Sequence, residues 1–256
     1  MKIIIIGAGN VSWHLSLSLK NAGFDIIQIY SRTEKSAKSV AERVGADFTS
    51  DIIKIKKEAD LYILAISDNV LMRIARNKFL KEIINNRLLV HTAGGVEMSA
   101  IKELSDNIGV LYPLQTLSKR KKVEFLEIPI CLESNTIENL EILKQITSKI
   151  SNNIRLLNSY DRKYIHLAAV FAANFTNHLY SMAEKILIQH KLDFEILMPL
   201  IIETAKQIKH YSPQEVQTGP AVRNDTDVME NHLMLLKNSA EMQEMYKFIS
   251  KSIQKI

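Results

Sequence analysis

The chain contains a single cysteine, Cys131, among its 256 residues, so no disulfide bond can form within it. It also has no apolar run long enough to cross a membrane. Neither the zinc-ligand spacings C-x-x-C and H-E-x-x-H nor the hydrolase sequence G-x-S-x-G occurs. The sequence therefore predicts neither a metal site nor hydrolytic chemistry. The lone thiol and the missing membrane span together predict a cytoplasmic protein.

Excess charge of one sign is also scarce. The formal net charge is +5, and the lysines are scattered along helical segments, apart from the run Lys119–Lys122. Aromatic residues are not interleaved with the basic ones, so the sequence predicts no nucleic-acid partner. A mildly basic surface suits anionic cofactors and small-molecule substrates, although a solvated face explains most of these charges.

The N-terminal stretch has the pattern of a dinucleotide-binding unit. Its four isoleucines, Ile3–Ile6, form a short β-branched run, which is typical of a strand buried on both faces. Gly7, Gly9 and Ser12 follow at the spacing of G-x-G-x-x-G/A, and apolar residues then recur at helical spacing. Gly7 would permit the tight turn, and Gly9 would let a pyrophosphate approach the backbone at the helix start. The alternative is a tight turn that binds nothing.

The end of the second predicted strand indicates which dinucleotide binds. NAD sites usually have an acidic side chain there for the ribose 2′-hydroxyl, whereas this chain has Ser31 and Arg32. A hydroxyl and a guanidinium suit a 2′-phosphate, and one charge-assisted bond would favour NADP over NAD by about ten- to a hundred-fold. The competing interpretation is that Arg32 is an ordinary surface residue at a helix start.

Two further loops are expected to border the cofactor, because ligands of such sheets lie outside the carboxyl ends of the strands. Ser67 and Asp68 follow the fourth predicted strand, although Asp68 is equally suited to capping the next helix. Thr92 and Ala93 follow the fifth predicted strand, and we expect them to contact the cofactor mostly through their backbone. His91 fits a core side chain at the strand end slightly better than a ligand.

Apolar runs alternate with helical patterns as far as residue 158, which predicts an α/β fold with a doubly wound, mostly parallel Rossmann sheet. The patterns include a helix over Asp51–Ala59 and one continuous helix over about Val70–Ile84. Beyond residue 158, three long amphipathic segments predict an all-helical C-terminal domain. We therefore expect a dinucleotide-binding domain over residues 1–158 and an all-helical dimerisation and substrate domain over residues 159–256.

The first C-terminal helix carries polar side chains among small apolar residues, in the sequence HLAAVFAANFTNH that begins at His166. His166, Asn174 and Asn177 fall on one face of a regular helix, because their separations are close to whole turns. A buried polar face must be hydrogen-bonded, either to helices of this chain or a partner, or to a substrate beside the nicotinamide. In the second case His166 is the candidate proton donor, and Asn174 and Asn177 would orient the substrate.

Several sequence blocks resemble a bacterial family of Rossmann-like NADP oxidoreductases with a C-terminal helical domain of unknown function. The blocks span nearly the whole chain and read GAGNVSWHL, IYSRT, HTAGG, GVLYPLQTLSK, HLAAVFAANFTNHLY, PLIIET and QTGPAVRND. The layout is more distantly similar to pyrroline-5-carboxylate reductase, the β-hydroxyacid dehydrogenases and prephenate dehydrogenase. In those relatives the helical domain makes the dimer and completes the active site, so the resemblance implies a homodimer through the helical domain.

The resemblance also implies which residues hold the cofactor. NADP would lie at Gly7, Gly9, Asn10, Val11, Ser31 and Arg32, with the nicotinamide near Thr92 and the helix of Asn174. Two positions depart from the pattern, because Ser12 replaces the usual Gly or Ala and Gly95 stands where a serine is expected. The β-hydroxyacid dehydrogenases also use a helix lysine as acid and base, and the stretch from His166 to His178 contains none.

Together these features predict an NADP-dependent oxidoreductase. Hydride would pass between the nicotinamide and the C=O or C=N carbon of a small, anionic metabolite, while the protein supplies placement and polarisation. The main alternative is a non-catalytic NADP-binding sensor or scaffold protein, which the missing lysine favours. A third possibility is a helical interaction module with a vestigial nucleotide fold, which would bind no NADPH.

Overall fold

The computed structural model describes residues 1–255 of the chain. Its centre is one eight-stranded sheet. The strands are β1 (Lys2–Ile6), β2 (Asp25–Tyr30), β3 (Asp47–Thr49), β4 (Leu61–Leu64), β5 (Leu88–His91), β6 (Ile108–Pro113), β7 (Ile130–Ser134) and β8 (Ile154–Leu156). They are ordered 3-2-1-4-5-6-7-8, and every neighbouring pair is parallel except β6 and β7. The predicted doubly wound, mostly parallel sheet is confirmed.

Helices cover both faces of the sheet. They are α1 (Asn10–Asn21), α2 (Glu34–Val44), α3 (Asp68–Ile74), α4 (Lys78–Ile84) and α5 (Ile137–Thr147). The four isoleucines of β1 are fully buried, and they alternate between two cores: Ile3 and Ile5 belong to one, Ile4 and Ile6 to the other. Successive strand side chains point to opposite faces, so only a strand covered on both sides uses an unbroken apolar run.

Two helix predictions are wrong, and hydrogen bonds from side chains to the backbone give the reason. Over Asp51–Ala59 the structure has only a short 3₁₀ turn, Ile52–Lys54, because the Gln28 side chain of β2 donates to the carbonyl of Lys54 at 3.1 Å and accepts from the N–H of Lys56 at 2.8 Å. The single helix expected from Val70 is two helices, because the Asn77 side chain accepts from the backbone of Leu80 at 2.9 Å and starts α4 anew. Asparagine favours such local bonds over a continuous helix.

The chain is helical after β8, as predicted. The helices are α6 (Ser159–Ala169), a π-helical segment (Val170–Phe175), α7 (Thr176–Gln189), α8 (Met198–Gln207), α9 (Thr226–Leu235) and α10 (Ala240–Ile253). Of the described residues, 1–174 form one compact unit and 175–255 a second. The predicted domain boundary after residue 158 matches the start of α6, and as a functional boundary it stays a prediction. Among the described residues, no helix is both long and apolar enough to cross a membrane.

A buried ion pair joins α6 to the sheet. Arg162 in α6 is fully buried, and its guanidinium donates to the carboxylate of Glu133 in β7. The same guanidinium donates to the carbonyl of Val96, in the loop after β5. Ser159, at the start of α6, donates its backbone N–H and its hydroxyl to Glu133 at 3.0 and 2.8 Å. One cation and one anion therefore fasten the helix, β7 and the loop together.

Candidate functional site

A cleft of about 640 Å³ opens at the carboxyl ends of β1, β2 and β4. In the strand order 3-2-1-4-5-6, the chain reverses direction across the sheet between β1 and β4, and ligands of open α/β sheets bind at that point. Among the predicted cofactor residues, Gly7, Gly9, Ser31, Arg32 and Ser67 line this cleft. The structure thus brings together residues from three separate loops.

The two motif glycines have different reasons to lack a side chain. Gly7 has a φ of +121°, and a Cβ placed on it would lie 2.1 Å from the carbonyl oxygen of Ala65, so no other residue fits. Gly9 has an ordinary φ of −80°, and its Cβ would meet nothing within 4 Å. Gly7 is therefore required by the fold, whereas the space beside Gly9 is open and lies in the cleft.

The start of α1 suits an anion. Asn10 and Val11 begin this helix, no side chain caps it, and its first turn has no acidic residue. N–H groups at such a helix start, together with the helix dipole, attract a phosphate. Ser12 takes the third motif position and is fully buried, and its hydroxyl has no hydrogen-bond partner among the described residues. It therefore fills the close-packed position that Gly or Ala usually occupies, at the cost of an unpaired hydroxyl.

The end of β2 presents a polar surface to the cleft. Ser31 and Arg32 lie there as predicted, and the sequence analysis missed Thr33 and Ser36, which line the same cleft. The Thr33 hydroxyl donates to that of Ser36 at 2.7 Å. A signal for Ser36 existed, because it lies one helical turn after Thr33. Arg73 of α3 also lines the cleft, and its local sequence carried no such signal.

Ser67 and Asp68 lie at the start of α3, and both are exposed. The alternative that Asp68 caps this helix is not what the structure shows, because Ser67 occupies the cap position and no side chain bonds there. The carboxylate of Asp68 instead lies near Gly95, 3.3 Å from the point where a Cβ on that glycine would be. Asp68 is thus at the carboxyl edge of the sheet, beside the loop after β5.

Thr92 and Ala93 are almost fully buried, and their backbone N–H groups already donate hydrogen bonds within the protein. The N–H of Thr92 donates to the carbonyl of Leu64 at 3.1 Å, and that of Ala93 donates to Nδ1 of His91 at 3.2 Å. Any backbone contact with a cofactor would therefore use their carbonyl oxygens. Burial, and then the nearby Arg162, lower the pKa of His91 to about 4, so His91 is a neutral core residue that shapes the loop.

His166 lies against the loop after β5. Its Nδ1 is 2.9 Å from the hydroxyl of Tyr112 in β6. A Cβ placed on Gly94 would lie 2.6 Å from the same nitrogen, so the glycine backbone packs directly on the imidazole ring. This contact was not predicted, because 54 positions separate the two residues in the sequence.

Asn174 and Asn177 are exposed in the single chain, as is His178, so the expectation of a buried polar face is wrong for the chain by itself. The π-helical segment Val170–Phe175 also interrupts the regular helix on which the expected face depends. A π turn contains one residue more than an α turn, which rotates the following side chains by about 100° around the axis. The regular spacing that aligned His166 with Asn177 does not hold across this segment.

The basic run after β6 contacts the glycine loop. Lys119 donates from Nζ to the carbonyl of Ala8, between the two motif glycines, at 2.9 Å. The neighbouring carbonyl of Ser118 is 2.8 Å from Nε2 of His14, a buried residue of α1. The run is exposed, and Lys119 adds a positive charge beside the place where a pyrophosphate would approach.

Comparisons with known proteins identify the family to which this chain belongs. Residues 2–95 match the family described as "NADP oxidoreductase coenzyme F420-dependent", and residues 128–253 match the "Domain of unknown function (DUF2520)". The structure is similar to the putative NADP oxidoreductase BF3122 from Bacteroides fragilis, with 40% identity, a TM-score of 0.93 and coverage of 100% of this chain and 98% of that one. The chain therefore belongs to the family of NADP oxidoreductases with this C-terminal domain, which are enzymes of the dehydrogenase and reductase class.

Two more distant solved structures share the fold, and one further relative matches in sequence over part of the chain. Protein TM1727 from Thermotoga maritima is 21% identical with a TM-score of 0.79, over 99% of this chain and 98% of that one. The 1-pyrroline-5-carboxylate reductase of Streptococcus pyogenes is 16% identical with a TM-score of 0.63, over 100% and 99%. The glutamyl-tRNA reductase of Sulfolobus acidocaldarius is 25% identical over 144 residues, 55% of this chain, and the match spans only 33% of that protein's length.

The two glycines yield a matched pair of variants. We expect Gly9→Ala to leave the free energy of unfolding within about 1 kcal/mol of wild type and to abolish the rise in melting temperature on adding NADPH. Gly7→Ala should lower the free energy of unfolding by at least about 2 kcal/mol, because of its φ and the contact with Ala65. Thermal and urea unfolding measure both. If NADPH stabilised the Gly9→Ala variant as much as wild type, the result would contradict binding of the cofactor's pyrophosphate beside Gly9.

Proposed function

We propose that the protein transfers hydride between NADP(H) and the C=O or C=N carbon of a small, anionic metabolite. The observation that carries this proposal is the position of His166. It lies against Gly94 and near Gly95, in the loop after β5. The cleft at Gly7, Gly9 and Arg32 opens at the same carboxyl edge of the sheet, within the same compact unit. A proton donor and a dinucleotide cleft at one sheet edge are the two parts that such a reaction needs.

The cleft supplies groups that fit each charged part of NADP. The open space beside Gly9 and the uncapped start of α1 would receive the pyrophosphate, with Asn10 and Val11 at the helix start. Ser31 and Arg32, joined by Thr33 and Ser36, would bind the 2′-phosphate. Ser67, Asp68, Thr92 and Ala93 would border the ribose and the nicotinamide.

His166 would provide the proton in the reductive direction. NADPH, when bound, supplies the hydride to the substrate carbon. As the π electrons of the C=O or C=N bond move to the oxygen or nitrogen, that atom would take a proton from the protonated imidazole of His166, which is left as a neutral ring. Asn174 and Asn177, which follow His166 along the chain and are exposed, are proposed to orient the substrate. No lysine lies between His166 and His178, so an imidazole takes the role that a lysine has in other dehydrogenases.

The reaction is tested by NADPH consumption in the presence of small 2-keto acids and cyclic imines. We expect at least one of them to be reduced, and we expect His166→Ala to lower kcat by about a hundred-fold or more without changing NADPH affinity. Single-turnover hydride transfer separates this chemical step from product release. No oxidation of NADPH with any such compound would contradict the proposal and favour an NADP-binding sensor or scaffold.

Cofactor preference tests Arg32. We expect Arg32→Ala to weaken NADPH binding by about ten- to a hundred-fold, because the 2′-phosphate loses a charge-assisted bond, and to leave NADH binding nearly unchanged. Titrations of both nucleotides against wild type and variant measure this. Arg120→Ala, in the exposed basic run, is the matched control and should affect neither nucleotide. Equal losses for NADPH and NADH would contradict recognition of the 2′-phosphate by Arg32.

We also propose that two copies of the chain associate through the helical part. Within residues 175–255, the buried apolar side chains are Ala221 and Met242 alone. Large apolar side chains there are exposed, including Leu200 at 64% and Leu235 and Phe248 at 75% each. Burying one such side chain stabilises by about 1.5–3 kcal/mol, and a second copy covers the same surface on both partners at once. A cytoplasmic location stays a prediction from the sequence.

Light scattering tests the association. We expect the wild-type chain to have twice the mass of one chain, and the double variant Leu200→Asp/Leu235→Asp to be monomeric with its helical circular dichroism retained. Ile137→Asp in α5, at an equally exposed apolar residue (77%) of the other compact unit, is the control and should stay dimeric. A monomeric wild-type protein would contradict the proposal.

A further inference from the structure

Tyr112 and His166 form a hydrogen-bonded pair that the proposed function does not yet use. Tyr112 lies in β6 at the carboxyl end of the sheet, and its hydroxyl is 2.9 Å from Nδ1 of His166 in α6. The two rings meet edge to face, with centroids 5.9 Å apart and planes at 74°. The contact therefore constrains both the position and the tilt of the imidazole.

Gly94 closes the other side of this contact. A Cβ placed on Gly94 would lie 2.6 Å from Nδ1 of His166 and 2.6 Å from Cζ of Tyr112. Any side chain there would push the two rings out of place, because real Cβ atoms do not come so close to other heavy atoms. The imidazole is thus packed between the phenol and the glycine backbone, which leaves Nδ1 with the phenol as its hydrogen-bond partner.

The other ring nitrogen faces a different environment. A Cβ on Gly95 would lie 3.6 Å from Cδ2 and 4.0 Å from Nε2 of His166, and 3.3 Å from a carboxylate oxygen of Asp68. Nε2 of His166 in α6 and the exposed carboxylate of Asp68 in α3 therefore both lie near Gly95. This is the side on which a reacting atom could meet the imidazole.

The phenol determines which nitrogen of the neutral ring carries the proton. Burial, with smaller contributions from Cys131 and Asp68, raises the pKa of Tyr112 to about 12, so the phenol keeps its proton at neutral pH. When its O–H donates to Nδ1, the neutral imidazole must carry its own proton on Nε2. When the ring is protonated, Nδ1–H donates to the phenol oxygen instead, so the same two atoms stay bonded.

We infer that Tyr112 is a positioning residue for His166: it binds Nδ1 in both the neutral and the protonated ring, so that Nε2 is the nitrogen that faces the space beside Gly95 and Asp68 and gives up its proton there when the ring is protonated. This inference rests on the proposed function, because it concerns the proton that His166 would give to the substrate. Tyr112 acts through the imidazole and has no contact with the substrate in this role.

Nitrogen NMR tests the inference without any substrate. In the full-length protein labelled with ¹⁵N at its seven histidines, a His166→Gln variant identifies the signals of His166. At alkaline pH, where the imidazole is neutral, we expect Nε2 to have the shift of a protonated nitrogen and Nδ1 that of an unprotonated acceptor. Tyr112→Phe keeps the ring and removes the hydroxyl, so Nδ1 should lose its hydrogen-bond shift and the two signals should move toward those of a free imidazole.

The chain contains its own control for this measurement. In the other compact unit, the hydroxyl of Tyr246 is also 2.9 Å from Nδ1 of His232, with ring centroids 5.7 Å apart. Tyr246→Phe should therefore change the signals of His232 and leave those of His166 as in wild type. Changes at both histidines in either variant would indicate a general rearrangement and would overturn the assignment to Tyr112.

Kinetics add a second readout on any keto acid or imine that the wild-type enzyme reduces. Tyr112→Phe should lower kcat by about tenfold, as expected for the loss of one hydrogen bond, with an unchanged KM for NADPH. A proton on Nδ1 of the neutral ring in wild type, or an unchanged kcat in Tyr112→Phe, would overturn the inference. If the wild-type enzyme reduces none of these compounds, the proposed function fails, and the ¹⁵N signals still decide whether Tyr112 sets the state of the ring.

Discussion

The buried ion pair between Arg162 and Glu133 is the contact on which the geometry of the site depends most. Arg162 has no exposure to solvent, and its guanidinium bonds to the carboxylate in β7 and to the carbonyl of Val96 in the loop after β5. A charge this deep persists only when it is paired, and removing one partner of such a pair typically costs about 3–5 kcal/mol. His166 lies one turn after Arg162 in α6, so the ion pair sets where the imidazole meets the loop.

Two close backbone contacts, at Gly7 and Gly94, also determine the geometry of the site. Gly7 lets the chain leaving β1 pass the carbonyl of Ala65 after β4, which shapes the wall of the dinucleotide cleft. Gly94 lets the loop after β5 pack on His166 and Tyr112. Both glycines are at the carboxyl edge of the parallel strands, where loops from distant parts of the sequence converge. The dinucleotide cleft and the imidazole therefore belong to one continuous edge of the same unit.

Much of the fold and of the lining of the cleft followed from short-range patterns. The glycine loop, Ser31 and Arg32 each lie directly after a strand whose apolar run is visible in the sequence, and all of them line the cleft. The missed features are pairings between distant residues: 29 positions separate Glu133 from Arg162, and 54 separate Tyr112 from His166. The π-helical segment was also not predicted, because an apolar pattern at helical spacing does not show where a turn contains one extra residue.

The sequence by itself determined the alternation of strands and helices, the glycine loop and the residues at the end of β2, because these depend on neighbours a few positions away. The tertiary structure decided which groups surround His166. Tyr112, Gly94 and Asp68 come from three elements that only the order of strands in the sheet brings together. The sequence also identified His166 as the candidate donor, but which of its nitrogens faces the open side depends on those contacts. A ring nitrogen takes its role from its partner, and that partner is set by the packing of α6 on the sheet.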